Sequence, residues 1–504
     1  MKKFNPLRIT ALFIMLSFLV TNCKKDNNSP STTETPAVKL EINQFIWGNL
    51  NYWYYWVDSV PKLSESYFQG NINNLNSFLN TYSDHEKLFN DLLYTKRDKW
   101  SWIVDDYTVL ENELQGTTLS MGFDFGLVIY GSAGTNVFGY VRYIYPNTSL
   151  ANNAGIKRGD IFTTVNGQQI TVSNYQDLLF NQTSQTSYKL GLATIVNNTI
   201  TPNGKQVTII PQQLQEDPVF LDTVYTINSN KIGYLVYNGF YPGFDVELNN
   251  AFAKFKANNV QSLILDLRYN GGGSIQSAVN LSSMIYGTNS SNIFATTQYN
   301  STVQADIINY YGAGYLIDHF TDTIARATAS GSPTTITSLG LNQLYVITSK
   351  STASASELVI NGLKPYINVT TVGDTTVGKN VGSITITDMD STGAINPNNK
   401  WAMQPIVLKI FNSLGKSDYS SGFFPKVVVD ELRYLSNLLP LGDTNEPLLK
   451  AALNDLQGLP QTSMTKSASA FKKLADLKDM IPHSKEMYSK LNFSKLHKKY
   501  WPGR

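Results

Sequence analysis

The stretch "VQSLILDLRYNGGGSIQSAVNLSSMIYG" limits the possible folds more than any other part of the chain. Ser262 to Leu267 is an almost continuous apolar run, the pattern of a strand covered on both faces. It breaks at Asn270-Gly271-Gly272-Gly273, after which apolar residues return at helical spacing. Upstream, "KIGYLVYNGF" is another strand-length run, and "FDVELNNAFAKFKANN" is a helix between the two. Downstream, "LYVITS" repeats the buried-strand pattern and leads into helical "ASASELVINGLKPY". Strands alternating with helices predict an α/β fold around a buried sheet.

A glycine turn between a strand and a helix offers backbone N–H groups to an anion. No G-K-[ST] follows it and it does not match G-x-G-x-x-G, so nucleotide phosphate binding is unsupported. An oxyanion hole is the functional use that remains, and a simple turn is the plain alternative. The second strand-to-helix passage carries Ser349, Ser351, Ser354 and Ser356. A helix N-terminus favours developing negative charge, which suits a nucleophilic serine. Ser354-x-x-Glu357 also reads as a capping box, so capping alone accounts for one serine and the glutamate.

A nucleophilic serine needs a base. The four histidines, His85, His319, His483 and His497, lie outside these segments. Lys379, between Gly378 and Asn380, is the alternative: burial lowers a lysine's pKa, and the neutral amine can then accept a hydroxyl proton. The single cysteine, Cys23, excludes an internal disulfide, and with no H-E-x-x-H pattern neither a metal site nor a cofactor is expected. A formal charge of +2 on 504 residues gives no reason to expect a nucleic-acid partner.

Residues 1–22 read as a signal peptide, with Lys2, Lys3 and Arg8 before the apolar stretch Ile9 to Val20. Leu19-Val20-Thr21-Asn22-Cys23 resembles a lipoprotein lipobox, which implies acylation of Cys23 and a lipid anchor to a membrane of the bacterial cell envelope. Asn22 stands where that pattern favours a small residue. Residues 23–37 form a polar linker, and 38–115 show the spacing of a small helical domain whose aromatics belong in a core. Within 116–214, Gly155-Ile156-x-x-Gly159-Asp160-Ile161 and Val165-Asn166-Gly167 resemble a PDZ domain. That resemblance implies an extended peptide bound as an added strand, with Met121, Gly122 and Phe123 as its carboxylate-binding loop.

Three strings in one order then resemble the S41, or carboxyl-terminal processing, peptidases: Asp266-Leu267-Arg268-x-Asn270-x-Gly272-Gly273, Thr352-Ala353-Ser354-Ala355-Ser356-Glu357, and Gly373-Asp374-x-Thr376-x-Gly378-Lys379. The resemblance implies a crotonase-like α/β catalytic domain over 215–457. Ser354 would be its nucleophile, Lys379 its general base, and the Ala355 and Gly272 N–H groups its oxyanion hole. Many members carry a glutamine four residues after the lysine; here Ser383 stands there and would take the third role. The implied activity is serine endopeptidase action on proteins or peptides presented through the PDZ domain. A peptide-binding lipoprotein without turnover and a Ser-Lys amidase or esterase are the competing readings. Residues 458–504 read as a basic helical tail, with ten Lys/Arg against three Asp/Glu from Met464 onward.

Overall fold

The computed structural model describes residues 34–131, 133–146, 148, 155–180, 186–324, 333–390, 393–461, 471–477 and 484–489. The leader, Cys23 and most of the linker lie outside these residues, as does much of the basic tail. Among the described residues no helix is long and apolar enough to cross a membrane.

The fold is α/β. Its centre is a six-stranded sheet in the order Val219–Ile227, Asn230–Tyr237, Ser262–Asp266, Gln343–Thr348, Asn368–Gly373, Val427–Val428. The first pair is antiparallel and the others run parallel. Leu263, Ile264 and Leu265 are fully buried, as their unbroken apolar run requires. The helix Ala355–Leu363 is buried at all nine positions, so it has no solvent-facing side. Three loops leave the carboxyl ends of adjacent parallel strands, after Asp266, Thr348 and Gly373, and these loops carry the three motifs. Such an edge is where open α/β sheets place their sites.

A second six-stranded sheet joins Gly273–Ser274, Met487–Tyr488, Val381–Ser383, Ile406–Asn412, Ile293–Tyr299 and Ile317–His319. The N-terminal helix Pro36–Trp53 buries Phe45, Trp47, Tyr52 and Trp53, and these share one apolar cluster with the sheet core. Strand Trp102–Val104 pairs with Ala402–Gln404, and the Asn300 side-chain amide donates to the Tyr52 and Tyr54 carbonyls. The N-terminal helices are therefore fastened to the sheets by main-chain bonds as well as by packing.

A seven-stranded antiparallel sheet builds the β-rich unit: Lys472–Asp476, Phe123–Tyr130, Asn136–Ile144, Ile161–Val165, Tyr188–Val196 and Thr199–Ile209, with Gln168–Gln169 beside Ile161–Val165. Phe123, Phe125, Leu127 and Leu190 fill its core. Arg158 from its tight turn joins it to the central sheet, donating to Glu431, the Tyr269 hydroxyl and the Leu439 carbonyl.

The described part of the tail includes two strands that the helical reading did not expect, Lys472–Asp476 and Met487–Tyr488, and most of 458–504 lies outside the described residues. The physical reason is that sheet edges present unpaired main-chain donors and acceptors, and a passing segment of almost any sequence can satisfy them.

Candidate active site

Ser354 caps the helix Ala355–Leu363 with φ 64 and ψ −116, a left-handed conformation that a residue with a Cβ adopts only under constraint. The constraint is visible. Ser354 N donates to Glu357 Oε2 at 2.9 Å, and the Leu358 N–H reaches the Ser354 carbonyl at 2.8 Å. Three of the four serines have committed hydroxyls: Ser349 Oγ donates to the Arg268 carbonyl, Ser351 Oγ to Asp476, and Ser356 Oγ to the Asn270 carbonyl. Ser354 Oγ is buried and has no hydrogen-bond partner among the described residues. It is the one hydroxyl of the set left for chemistry.

The glycine turn abuts this serine. A Cβ built on Gly272 would stand 2.6 Å from Ser354 Cβ and 3.0 Å from Ala355 N, and φ of 112 at Gly272 and 137 at Gly273 needs glycine besides. Asn270 holds the turn in place. Its side-chain amide donates to the Tyr237 carbonyl, its carbonyl accepts from Ala353 N, and its Oδ1 accepts from Gly272 N at 2.8 Å. The turn donor expected from sequence, Gly272, is therefore already engaged. The N–H that meets a peptide carbonyl is that of Gly273, which donates to Glu486 O at 2.5 Å.

Lys379 has no exposed surface. Its Nζ donates to the Lys485 carbonyl at 2.7 Å, lies 3.4 Å from Glu486 Oε2, and stands 5.3 Å from the centre of the Trp100 ring. No hydrogen bond joins it to Ser354 Oγ in this conformation. Burial pushes the amine's pKa down, and the Glu486 carboxyl opposes that. Burial likewise pushes Glu486 up, opposed by Lys379 and by hydrogen bonds from Trp102 Nε1 and Ser383 Oγ. Ser383 lies at the site, but its hydroxyl faces Glu486 Oε2 at 3.1 Å.

Glu357 does far more than a capping box suggests. Besides Ser354 N it accepts from Gly378 N at 2.7 Å, Lys379 N at 2.9 Å and the Thr376 hydroxyl at 2.5 Å. Burial raises its pKa, and these four donors oppose the rise. One carboxylate thus hangs the serine loop and the lysine loop together. Its role was visible in sequence only as N-terminal capping. Trp100 and Trp102 carried no catalytic signal, because tertiary folding alone brings the N-terminal region here.

Met121 and Phe123 are buried in the core of the β-rich unit, and Gly122 has φ 83 with its N–H on Ser120 Oγ at 3.0 Å. These three residues stand at the head of the strand Phe123–Tyr130. A cavity of about 80 Å³ next to the glycine turn is lined by Glu113, Tyr145, Glu216, Tyr241, Gly271 and Tyr488, so every region of the chain contributes a wall.

The sequence model of Peptidase family S41 matches residues 231–407, which include the glycine turn, Ser354 and Lys379, and that of the Peptidase S41 N-terminal domain matches 41–102. The chain belongs to peptidase family S41. This S41 peptidase is 22% identical over 435 residues to the Probable CtpA-like serine protease of Staphylococcus aureus (strain bovine RF122 / ET3-1), covering 86% of this chain and 72% of that one. To the protein of the same name from Staphylococcus saprophyticus it is 24% identical over 319 residues, covering 61% and 56% of the two chains. It spans half the length of the relative from Staphylococcus aureus strain N315. Among solved structures, a putative S41 protease from Bacteroides fragilis NCTC 9343 aligns with a TM-score of 0.62 at 26% identity, over 82% of this chain and 97% of that one. The S41 peptidase is, by this membership, of the serine type.

Proposed function

We propose that this S41 peptidase is an endopeptidase that cleaves proteins or peptides through an acyl-enzyme on Ser354. The observation that carries the reading is the strained, buried Ser354 hydroxyl without a partner, set against a glycine turn in a cleft that also holds a buried lysine. Lys379 as a neutral amine takes the Ser354 proton, and Oγ attacks the peptide carbonyl. The N–H groups of Ala355 and Gly273 hold the oxyanion. The lysine then returns the proton to the leaving amine, and water releases the acyl group. Ser383 serves as a hydrogen-bonding hydroxyl beside the site, free to turn to the lysine once its contact with Glu486 is released. The five parallel strands and the companion sheet bearing the turn support a crotonase-like core.

The antiparallel sheet, the Met121-Gly122-Phe123 loop before its strand and the short helix Tyr175–Phe180 support a PDZ-type groove that presents the substrate's C-terminal end. The basic, apolar leader and Cys23 support export to the cell envelope with acyl groups on that cysteine. Cys23→Ser is expected to move the protein from the membrane to the soluble fraction on cell fractionation; unchanged partition removes the anchor.

The pH profile tests the base. Because burial lowers the Lys379 pKa and the neutral amine is the active form, kcat/KM is expected to rise with pH through an apparent pKa below the ordinary lysine range. Lys379→Arg keeps a cation that cannot deprotonate, so it should abolish turnover at every pH. A serine-acylating probe should label Ser354, identified by peptide mass mapping. Labelling elsewhere, or a Lys379→Arg enzyme with an unchanged profile, defeats the proposal.

A further inference from the structure

Two tail segments lie where a peptide substrate would have to lie. Lys472–Asp476 runs antiparallel to Phe123–Tyr130, with Lys472 opposite Ile129 and Asp476 opposite Gly126. It is the edge strand of that sheet, on the strand that begins at the Met121-Gly122-Phe123 loop. Ala475 and Leu477 are buried in the cluster that holds Met121, Phe123 and Leu179. Asp476, with no exposed surface, binds Arg142 of the β-rich unit and the Ser351 hydroxyl of the serine loop.

The second segment threads the cleft itself. Met487–Tyr488 pairs in parallel with Gly273–Ser274 on one side, and Tyr488 pairs with Ser383 on the other. The Glu486 carbonyl takes the Gly273 N–H, and the Lys485 carbonyl takes the Lys379 amine. A Cβ on Gly271 or Gly272 would collide with the Ser484 or Glu486 carbonyl oxygen, so the tail's main chain fills the space against the turn. Met487 is fully buried and Tyr488 is 2% exposed.

We propose that the tail segments 471–477 and 484–489 are a built-in pseudosubstrate, occupying the peptide groove and the catalytic cleft in cis, so that an extended polypeptide binds only after both segments have left. The inference rests on the endopeptidase reading for the meaning of the cleft. Its chemistry describes the displacing ligand: an extended peptide with small or aliphatic residues at alternate positions, like Ala475 and Leu477. The segment is held as an inhibitor because its Glu486 carboxyl sits beside the amine that must lose a proton, and Coulomb attraction holds that proton more firmly than the same lysine would hold it alone.

The test uses the whole chain. In a Ser354→Ala background, which cuts nothing, a fluorescent synthetic peptide of residues 471–489 is titrated by anisotropy against the parent, against Leu477→Asp/Met487→Pro, and against Glu486→Lys as a milder second variant. Each variant is expected to bind at least tenfold more tightly than the parent, and the amides of 472–476 and 487–488 should be protected from hydrogen exchange in the parent alone. Equal affinities, or unprotected parent amides, overturn the proposal. With Ser354 intact, both variants should cleave an unstructured protein at least tenfold faster than the parent, and added peptide should suppress the gain. A Glu486→Lys enzyme slower than the parent would make Glu486 part of the working site and overturn it too. If affinity rises as stated but no form hydrolyses peptide, the endopeptidase reading fails while the cis occupancy stands.

Discussion

Ser354→Ala is expected to lower kcat on a peptide substrate by on the order of 10⁵- to 10⁶-fold, and Lys379→Ala by a comparable factor. The two residues act on one proton, so the double variant should be no slower than the worse of the single variants. Nucleophile and base each become useless without the other, which is why such losses do not add. The check is steady-state hydrolysis of a fluorogenic peptide, with the folded state verified by circular dichroism. Neither substitution should unfold the protein. Ser354→Ala removes one buried oxygen without a partner, and Lys379→Ala removes an amine whose burial is unfavourable while the Glu486 carboxyl left behind, already pushed up by burial, can take a proton. A Ser354→Ala chain that retains a tenth of the parental rate would mean that another group attacks the carbonyl.

Arg268→Ala should be the most damaging substitution away from the serine. Arg268 is 1% exposed and holds Asp266, Glu446 and Glu431 in one network. Asp266 and Glu446 are themselves fully enclosed, so without the guanidinium two carboxylates stay buried with their main counter-charge gone. Breaking such a cluster on one side costs about 3–5 kcal/mol. In a thermal melt of a chain this long, that should lower Tm by roughly 3–5 °C. A change of under about 1 °C would mean that the network contributes little. Acid should attack the same place. Burial alone would raise Glu431, but Arg158 and Arg268 with the Tyr269 hydroxyl bring it down to about 2 from 4.5. A depressed carboxyl contributes stability that is complete above its unfolded pKa and is lost as pH falls through the folded one. The loss should therefore run from about pH 4.5 down to about pH 2.

What could be read without coordinates was the local chemistry. The apolar runs, the Asn-Gly-Gly-Gly break and the Ser354-x-x-Glu357 spacing each encode a strand, a turn and a helix start within a few residues. The buried sheet followed from that alternation, whereas the three motifs were brought together only by their resemblance to the S41 peptidases. That the Gly272 N–H is taken by the Asn270 side chain could not be read from the sequence, because that bond depends on how the turn folds back on itself. The wider grip of Glu357 was invisible, since its partners Thr376, Gly378 and Lys379 are distant in sequence. The two tail strands were missed for a deeper reason. Its strands contain five and two residues, too few to show a period. Their pairing also uses main-chain groups that every sequence possesses.

The grip of Glu357 has a mechanical corollary. Two strand-end loops tethered to a single anchor travel as one body, so thermal breathing that displaces the attacking oxygen also carries the lysine backbone with it. The glycine turn, pinned to the serine loop through the Asn270 carbonyl, travels with them, so the reacting geometry keeps its registration while the rest of the cleft adapts to peptides of different bulk.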